Sequence, residues 1–161
     1  MKLFDGKVVI FTGEYNACDI QSFKDEERKK NVFYQSFGTI DNFDPVVQRR
    51  LLEHILAISG GAGGLNIILG TNSVYILNYL NLMIAYAQYP ENEPKDKEWF
   101  GINPDDISIK LVIRKNAVPE IEELVQDDES EKFVNTLHFT EIMEDCYAEY
   151  ESVIDPDVED D

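Results

Sequence analysis

Cysteine is scarce in this chain of 161 residues, which contains only two. Cys18 and Cys146 lie near opposite ends of the sequence, and neither belongs to a Cys-x-x-Cys pair. This usage excludes a disulfide-rich secreted scaffold and a zinc module built on paired cysteines. We therefore expect reduced thiols in a cytoplasmic protein.

Long apolar runs are also missing. The longest apolar stretch, Val74 to Ala87, contains Asn78 and Asn81 and is shorter than the roughly 20 residues that span a bilayer. Lys2 and Asp5 place charged side chains at the start of the chain, where the apolar segment of a secretory leader would be needed. No secretory leader is therefore expected. We expect no membrane partner.

Positive charge is nearly absent from the C-terminal quarter of the chain. The formal net charge is −18, but residues 1–116 hold 13 Lys and Arg against 15 Asp and Glu. Residues 117–161 hold Lys132 alone against 17 acids, a net charge of −16. Phosphate contacts need Lys and Arg, so this quarter is not expected to bind nucleic acid directly. Its charge is compatible with a basic protein partner or with solubility alone.

The stretch from Asn31 to Ala87 has the clearest alternation of predicted strands and helices. The chain as a whole is 43% apolar, which is enough for a hydrophobic core. Asn31 to Phe37 is predicted to be a strand, apolar enough for a central place in a sheet. Asp44-Pro45 then predicts a helix start, since an acid can cap it and proline suits its first position. Leu65 to Leu69 has the continuous apolar run of a strand covered on both faces. Ser73 can cap the helix that follows.

The apolar spacing predicts which helix faces are buried. In the first helix the apolar set recurs at helical intervals, at Val47, Leu51, Ile55 and Ile58. The second helix is apolar nearly all round and is expected to be largely buried.

The flanking segments complete the predicted fold. Lys7 to Gly13 predicts a strand. Asp19 is a candidate cap for a short helix through Phe23 to Arg28, a segment whose polar sequence suits a loop equally well. Asp106 to Arg114 and Val118 to Val125 predict a hairpin, and Gln126 to Lys132 an acidic loop.

Asn135 is expected to cap a final amphipathic helix. Its apolar stripe comprises Phe139, Ile142, Met143, Cys146, Tyr147, Tyr150, Val153 and Ile154. Together the segments predict an α/β three-layer domain with a mixed sheet over residues 1–154, ending in a hairpin and an acidic helix. Residues 155–161 are expected to form an acidic disordered tail.

Two patterns that often carry chemistry are weak here. The glycines from Gly60 to Gly64 follow a helix and precede a strand, the reverse of the order in a phosphate cradle. They are better interpreted as a helix end and turn. No His, Cys or carboxylate cluster has the spacing of metal ligands, so no metal is expected.

Short motifs in residues 31–154 resemble the second half of the nucleotide-binding domain of ABC-type ATPases, above all SMC-like and OLD-like predicted ATPases. Asp44-Pro45 and Gln48-Arg49-Arg50-Leu51 are similar to that family's D-loop and the helix after it. Asn66 to Leu69, with Thr71-Asn72-Ser73, is similar to its switch strand. The resemblance implies a P-loop-NTPase-like C-terminal lobe.

The residues that perform phosphoryl transfer in that family are replaced. The sequence has no phosphate loop of the form G-x-x-x-x-G-K followed by Ser or Thr. Gln35 and Ser36 stand where the resemblance implies the Asp-Glu pair, and Asn72 stands at the switch histidine. A neutral pair supplies neither the charged ligands that Mg²⁺ prefers nor a general base. No cofactor is expected for this chain alone. Binding of ATP with Mg²⁺ is expected only if another chain completes the site.

Three functions remain open. A catalytically inactive, truncated ATPase-like domain would bind itself or an intact ATPase, with candidate contacts at Asp44, Gln48, Arg49 and Asn72. An acidic inhibitor or nucleic-acid mimic of phage or mobile-element type would instead use the acids of the last helix, Glu141, Glu144, Asp145 and Glu149. A nucleotide-binding half that needs a second chain is the third.

Overall fold

The computed structural model describes residues 2–26, 32–36, 40–61, 66–92, 100–128 and 131–154. The predicted tail, residues 155–161, lies outside the described residues. Four α-helices occur in these ranges, namely α1 (Ala17–Glu26), α2 (Pro45–Gly61), α3 (Val74–Gln88) and α4 (Leu137–Ile154). The strands are β1 (Lys2–Leu3), β2 (Val8–Gly13), β3 (Val32–Ser36), β4 (Asn66–Gly70), β5 (Phe100–Gly101), β6 (Ile107–Lys115), β7 (Val118–Glu123), β8 (Val125–Asp128) and β9 (Glu131–Val134).

A mixed five-stranded sheet in the order β3-β4-β2-β6-β7 organises the fold. Its first four strands are parallel to one another, and β7 returns antiparallel to β6. The prediction of a mixed α/β sheet is confirmed. The prediction of a central position for β3 is wrong, because β3 pairs with β4 alone and lies at the edge of the described sheet.

Helices pack on both faces of the sheet. Inward side chains of β2, β4 and β6 meet α2 and α3 in the larger cluster, around Ile10, Leu69 and Leu80. The opposite face is covered by α1, where Ile20 packs with Phe11. The alternation of side chains along each strand thus supplies two apolar layers from one set of strands.

The buried face of α2 differs from the predicted one. Leu52, Ile55 and Leu56 are buried, whereas Val47 and Ile58 are exposed. The buried stripe also includes the polar residue Gln48. The helix is rotated relative to its apolar pattern because Gln48 makes hydrogen bonds on the inner side, described below.

Helix caps were mostly predicted correctly from local sequence. The Asp44 carboxylate accepts the Val46 N–H at 2.8 Å, and the Ser73 hydroxyl accepts the Ile76 N–H at 3.3 Å. The prediction for α1 is wrong, because the helix begins at Ala17 and Asn16 caps it. The Asp19 carboxylate accepts the Asn16 N–H in return, which makes a reciprocal capping box.

The segment predicted as an acidic loop forms a second hairpin. In this hairpin β8 and β9 pair antiparallel, and Asp127 stands opposite Lys132. Two amide side chains of α3 hold β9 by its backbone: Asn81 exchanges hydrogen bonds with Val134, and Gln88 with Lys132. These amides offset the poor strand propensity of the acids and the like-charged pair of Asp128 and Glu131, which face each other across the strands.

The first hairpin contains a strained turn that offers a test. Asn116 and Ala117 have φ of 53° and 66°, the left-handed pair of a type I′ turn. Alanine is disfavoured there, whereas glycine is not. We expect Ala117→Gly to raise the free energy of unfolding by about 0.5–1 kcal/mol. Urea denaturation checks this, and a loss of stability would contradict the turn geometry.

Within the described ranges, no helix is both long and apolar enough to cross a bilayer.

Candidate functional site

The carboxyl ends of β2, β3 and β4 lie along one edge of the sheet. From β2 the chain continues through α1 on one face, and from β4 through α3 on the other. Open α/β sheets bind ligands at such a divergence, in a crevice outside the strand ends. The candidate site is therefore the edge formed by the ends of β2 and β4.

Asn72 joins these two strand ends. Its side-chain Oδ1 accepts the backbone N–H of Gly13 at 2.7 Å and the Thr12 hydroxyl at 3.3 Å. The amide oxygen is therefore already engaged by the chain itself, at the position where the resemblance implies a phosphate-sensing residue.

Asp41 holds the same turn from the opposite side. One carboxylate oxygen accepts the Thr71 hydroxyl at 2.5 Å, and the other accepts the Asn72 N–H at 2.7 Å. Thr71 is buried, and its hydroxyl also accepts the Ser73 N–H. Hydrogen bonds to a carboxylate are stronger than neutral ones, so Asp41 fixes the β4–α3 connection.

Gln48 links this turn to the start of α2. It is 4% exposed, so it lies inside the fold rather than at a surface. Its Nε2 donates to the carbonyl oxygens of Phe43 at 2.7 Å and Asp41 at 3.2 Å. Its Oε1 accepts the Ser73 hydroxyl at 2.5 Å. The hydrogen bonds of Asp41, Gln48 and Asn72, with those of Thr71 and Ser73, are called the edge network below.

Little space remains at this edge. Gly70 ends β4, and a side-chain carbon there would overlap the ring of Tyr15, which follows β2. A cavity beneath the turn, lined by Leu52, Leu69, Thr71 and Ile76, has a volume of about 10 Å³. Small-molecule sites typically enclose several hundred Å³. Among the described residues, the polar groups at this edge bond to one another, and Asn72 itself stays exposed.

The N-terminus of α1 lies beside this edge and is occupied by a carboxylate. Gly13 ends β2 with φ of +81°, and a side-chain carbon there would lie 2.6 Å from the Val112 carbonyl oxygen. The capping carboxylate of Asp19 is paired with the guanidinium of Arg114. Arg114 also donates from Nε to the Glu14 carbonyl at 3.0 Å. A helix N-terminus attracts anions, and at α1 the anion is the carboxylate of Asp19.

The predicted acid-pair positions lie at the end of β3. Gln35 and Ser36 pair with Leu69 and Gly70 along β4, and their side chains are outside the description. Asp44 is exposed and caps α2.

Arg49 takes part in a small polar cluster between α2 and α3. Its Nε lies 2.9 Å from Glu53 Oε1, and its guanidinium stands 4.8 Å from the centre of the Tyr79 ring. Tyr79 donates to the same carboxylate oxygen at 2.5 Å. Burial, and next the bond to Glu53, raise the pKa of Tyr79. Burial alone would lower the pKa of Arg49, but the bond to Glu53 raises it above its usual value.

The acids of α4 are exposed. Glu141, Glu144 and Asp145 face solvent, while the side chain of Glu149 lies outside the description. Two apolar side chains of α4 are also exposed, Leu137 at 62% and Met143 at 63%, whereas Phe139 packs against the core.

A second cavity lies at the other end of the strands, between α1 and the sheet. It has a volume of about 180 Å³, and its lining includes Phe23, Lys7 and Lys110. Lys110 lies 3.7 Å from a Glu123 carboxylate oxygen. In the part of the chain that is described, no three His, Cys, Asp or Glu side chains are grouped to hold a metal ion.

The sequence interpretation missed Asp41 and the burial of Gln48. Asp41 lies 30 residues before Thr71 in the chain, and nothing local marks it as the partner of that turn. The signal available in the sequence was the helical spacing of Gln48 with Leu52 and Ile55, which places a glutamine on an apolar face of the helix.

Comparison of the chain with protein-family models, curated proteins and solved structures finds no match in any of the three.

Proposed function

We propose that this protein is a catalytically inactive domain with a scaffold like that of P-loop ATPases, and that it acts by binding protein. One observation carries the proposal. The sheet edge where a ligand would bind is filled by the edge network, in which Asp41 and Asn72 use their acceptors on the chain's own groups. With the described groups at these strand ends bonded to one another, contact with a protein through the surface is the mode of action that we propose.

The β2–α1 connection supports the loss of phosphate binding. A phosphate loop follows a strand, starts with glycine and leads into a helix with Gly-Lys-Ser or Gly-Lys-Thr. Gly13 starts this connection, and Cys18, Asp19 and Ile20 stand where those three residues are needed. Asp19 carries the opposite charge to lysine, and Ile20 is buried and has no oxygen for a metal. The third possibility, a half-site whose phosphate loop comes from another chain, is disfavoured by the edge network instead, because the Asn72 amide oxygen already accepts the Gly13 N–H.

The start of α2 offers a surface for protein contact. Phe43, Val46 and Val47 are exposed apolar side chains around the exposed carboxylate of Asp44. Protein interfaces combine an apolar core with a polar rim, and in this patch Asp44 would lie on the rim. We propose that this patch, the α2 entry patch, contacts an intact ATPase.

Purification from source cells tests the proposal, together with assays of ATP hydrolysis and of Mg-ATP binding. We expect no phosphate release and no thermal stabilisation by Mg-ATP, and co-purification of an ATPase with a complete phosphate loop. Val46→Glu should reduce co-purification, whereas Val118→Glu, at an equally exposed site on β7, should not. ATP hydrolysis by the chain alone would overturn the proposal.

A second candidate is an acidic inhibitor that occupies a nucleic-acid site. The exposure of Glu141, Glu144 and Asp145 favours it. Such binding depends on Coulomb attraction, which is screened over about 8–10 Å at moderate salt. Loss of the partner in high salt, and with Glu144→Lys, would favour this candidate over apolar contact through the α2 entry patch.

A further inference from the structure

The cavity between α1 and the sheet lies over the amino-terminal half of the strands. Ile68, Val9 and Ser108 stand opposite one another on β4, β2 and β6, so their side chains share the face that α1 covers. The helix has ten residues, and its Phe23 packs on Phe11, further along β2. Val9 and Ser108 therefore stay only half-buried, and a space of about 180 Å³ remains beside them.

One side of this cavity is apolar. It is formed by Val9, Ile68 and Phe23. The Phe23 ring is held edge-on by Phe11, with 5.7 Å between the ring centres and 72° between the ring planes. Dry apolar cavities of about 150 Å³ in proteins take up benzene, whereas drug-sized ligands need about 300 Å³ or more. The size and the lining of this cavity therefore suit a single small ring and exclude a nucleotide.

Two lysines line the same cavity. Lys110 lies on β6, and its Nζ is 5.6 Å from the centre of the Phe23 ring. Lys7 comes directly before β2, and its backbone is fixed to the start of β4. Its N–H donates to Asn66 Oδ1 at 3.0 Å, and its carbonyl oxygen accepts the Ile67 N–H at 2.7 Å. Two positive charges thus stand beside an apolar wall, in a chain whose net charge is −18.

A carboxylate also stands near Lys110. Glu123 accepts the Ser108 hydroxyl through one oxygen and the Ile109 N–H, at 2.7 Å, through the other. The first oxygen is 3.7 Å from Lys110 Nζ, which is too far for a hydrogen bond. Glu123 is therefore engaged by groups of β6, and it takes none of the three N–H donors of Lys110 at hydrogen-bond distance. Two cations against one carboxylate leave a local excess of positive charge.

We propose that this cavity binds a small organic anion in which one carboxylate is attached to a single ring, as in benzoate. The ring lies against Phe23, Val9 and Ile68, and the carboxylate accepts hydrogen bonds from Lys110 and Lys7. Such charge-assisted bonds are stronger than neutral ones, so the charge decides which ring is preferred. The cavity lies at the opposite ends of the strands from the edge network, and this inference does not depend on the proposed function.

A titration of the isotope-labelled full chain, followed by NMR of the backbone amides, tests the inference. We expect benzoate to bind with a dissociation constant on the order of 1 mM, as suits a ligand of so few atoms. The amide shifts should centre on Val9, Ile68 and Ser108. Benzamide has the same shape without the charge, and inorganic phosphate has charge without a ring. Both should bind at least about tenfold more weakly than benzoate.

Substitutions separate the charge from the apolar wall. Lys110→Met should weaken benzoate binding roughly tenfold and leave benzamide binding unchanged, because it removes the charge and keeps an apolar side chain. Lys115→Met is the matched control, since Lys115 lies on the same strand and is paired with Glu120. It should leave both affinities unchanged. Val9→Phe should abolish both by filling the cavity, and the amide spectra show whether each variant is folded.

Several results would overturn the inference. These are benzamide or phosphate binding as tightly as benzoate, equal losses for Lys110→Met and Lys115→Met, and shifts centred outside the cavity. The absence of a saturable shift at about ten times the expected dissociation constant would do the same. None of these results bears on ATP hydrolysis or on the α2 entry patch, so failure here leaves the proposed function standing.

Discussion

Replacing Asp41 with alanine should lower the free energy of unfolding by about 2–4 kcal/mol. Its carboxylate accepts both the Thr71 hydroxyl and the Asn72 N–H, and the buried Thr71 hydroxyl would lose its acceptor. Hydrogen bonds to charged groups contribute about 1.5–3 kcal/mol each, and partial exposure of Asp41 reduces that figure. The midpoint of urea denaturation measures the effect.

Asp44→Ala is the matched control for Asp41→Ala. Asp44 lies in the same connection, is exposed, and only caps α2. Loss of such a cap costs about 1 kcal/mol. If both variants lose the same small amount of stability, Asp41 does not hold the β4–α3 turn. A double-mutant cycle with Thr71→Val should show coupling, since the two side chains share a hydrogen bond.

Gln48→Glu should cost about 3 kcal/mol near neutral pH, at least as much as Gln48→Ala. The change keeps the shape of the side chain but removes the amide donor. It turns a carboxylate toward the carbonyl oxygens of Phe43 and Asp41, at a position that is 4% exposed. Both burial and these carbonyls would raise the pKa of the introduced carboxyl.

The raised pKa fixes the sign of the pH dependence. The destabilisation should be largest above the pKa of the buried carboxyl and should shrink as pH falls through it, since the neutral acid regains a donor. Thermal unfolding of Gln48→Glu and wild type from neutral to mildly acidic pH measures this. Asn78→Asp adds the same charge at an exposed site of α3 and should change stability by less than about 0.5 kcal/mol. A Gln48→Glu protein as stable as wild type would contradict the buried position.

Features decided by local chemistry could be predicted from the sequence. Asp44-Pro45 and Ser73 start helices where expected, because a cap is a contact between residues two or three apart. The first hairpin and the buried character of α3 were predicted for similar reasons. The helix at α1 was predicted too late, because Asn16 caps it and Asp19 completes the box.

Features decided by distant contacts could not be predicted. The apolar composition of β3 suits either the centre or the edge of a sheet, and only its pairing with β4 alone decides between them. The acidic segment 125–134 forms a hairpin because Asn81 and Gln88 of a distant helix hold its backbone. The rotation of α2 likewise follows from Gln48, whose partners Phe43, Asp41 and Ser73 come from two different connections.

The candidate site was only half predicted. Asn72 was identified at the edge, as a neutral substitute for a charged residue. The sequence did not indicate that its oxygen would accept the Gly13 N–H, because the two residues are 59 positions apart. The packing of Tyr15 against Gly70 was equally hidden. A resemblance between short motifs thus singles out residues at the strand ends but does not say how their side chains are engaged.

Amide hydrogen exchange at Gly13 and Asn72, followed by NMR with and without Mg-ATP, tests the closed edge most directly. The Gly13 N–H donates to Asn72 Oδ1 and the Asn72 N–H to Asp41 Oδ2, both at 2.7 Å. We expect both amides to exchange at least about 100-fold more slowly than in an unstructured chain, with the same rates and chemical shifts when Mg-ATP is present. Rapid exchange at these two amides, or a saturable shift of either one on adding Mg-ATP, would show an open, ligand-accepting edge and contradict the account.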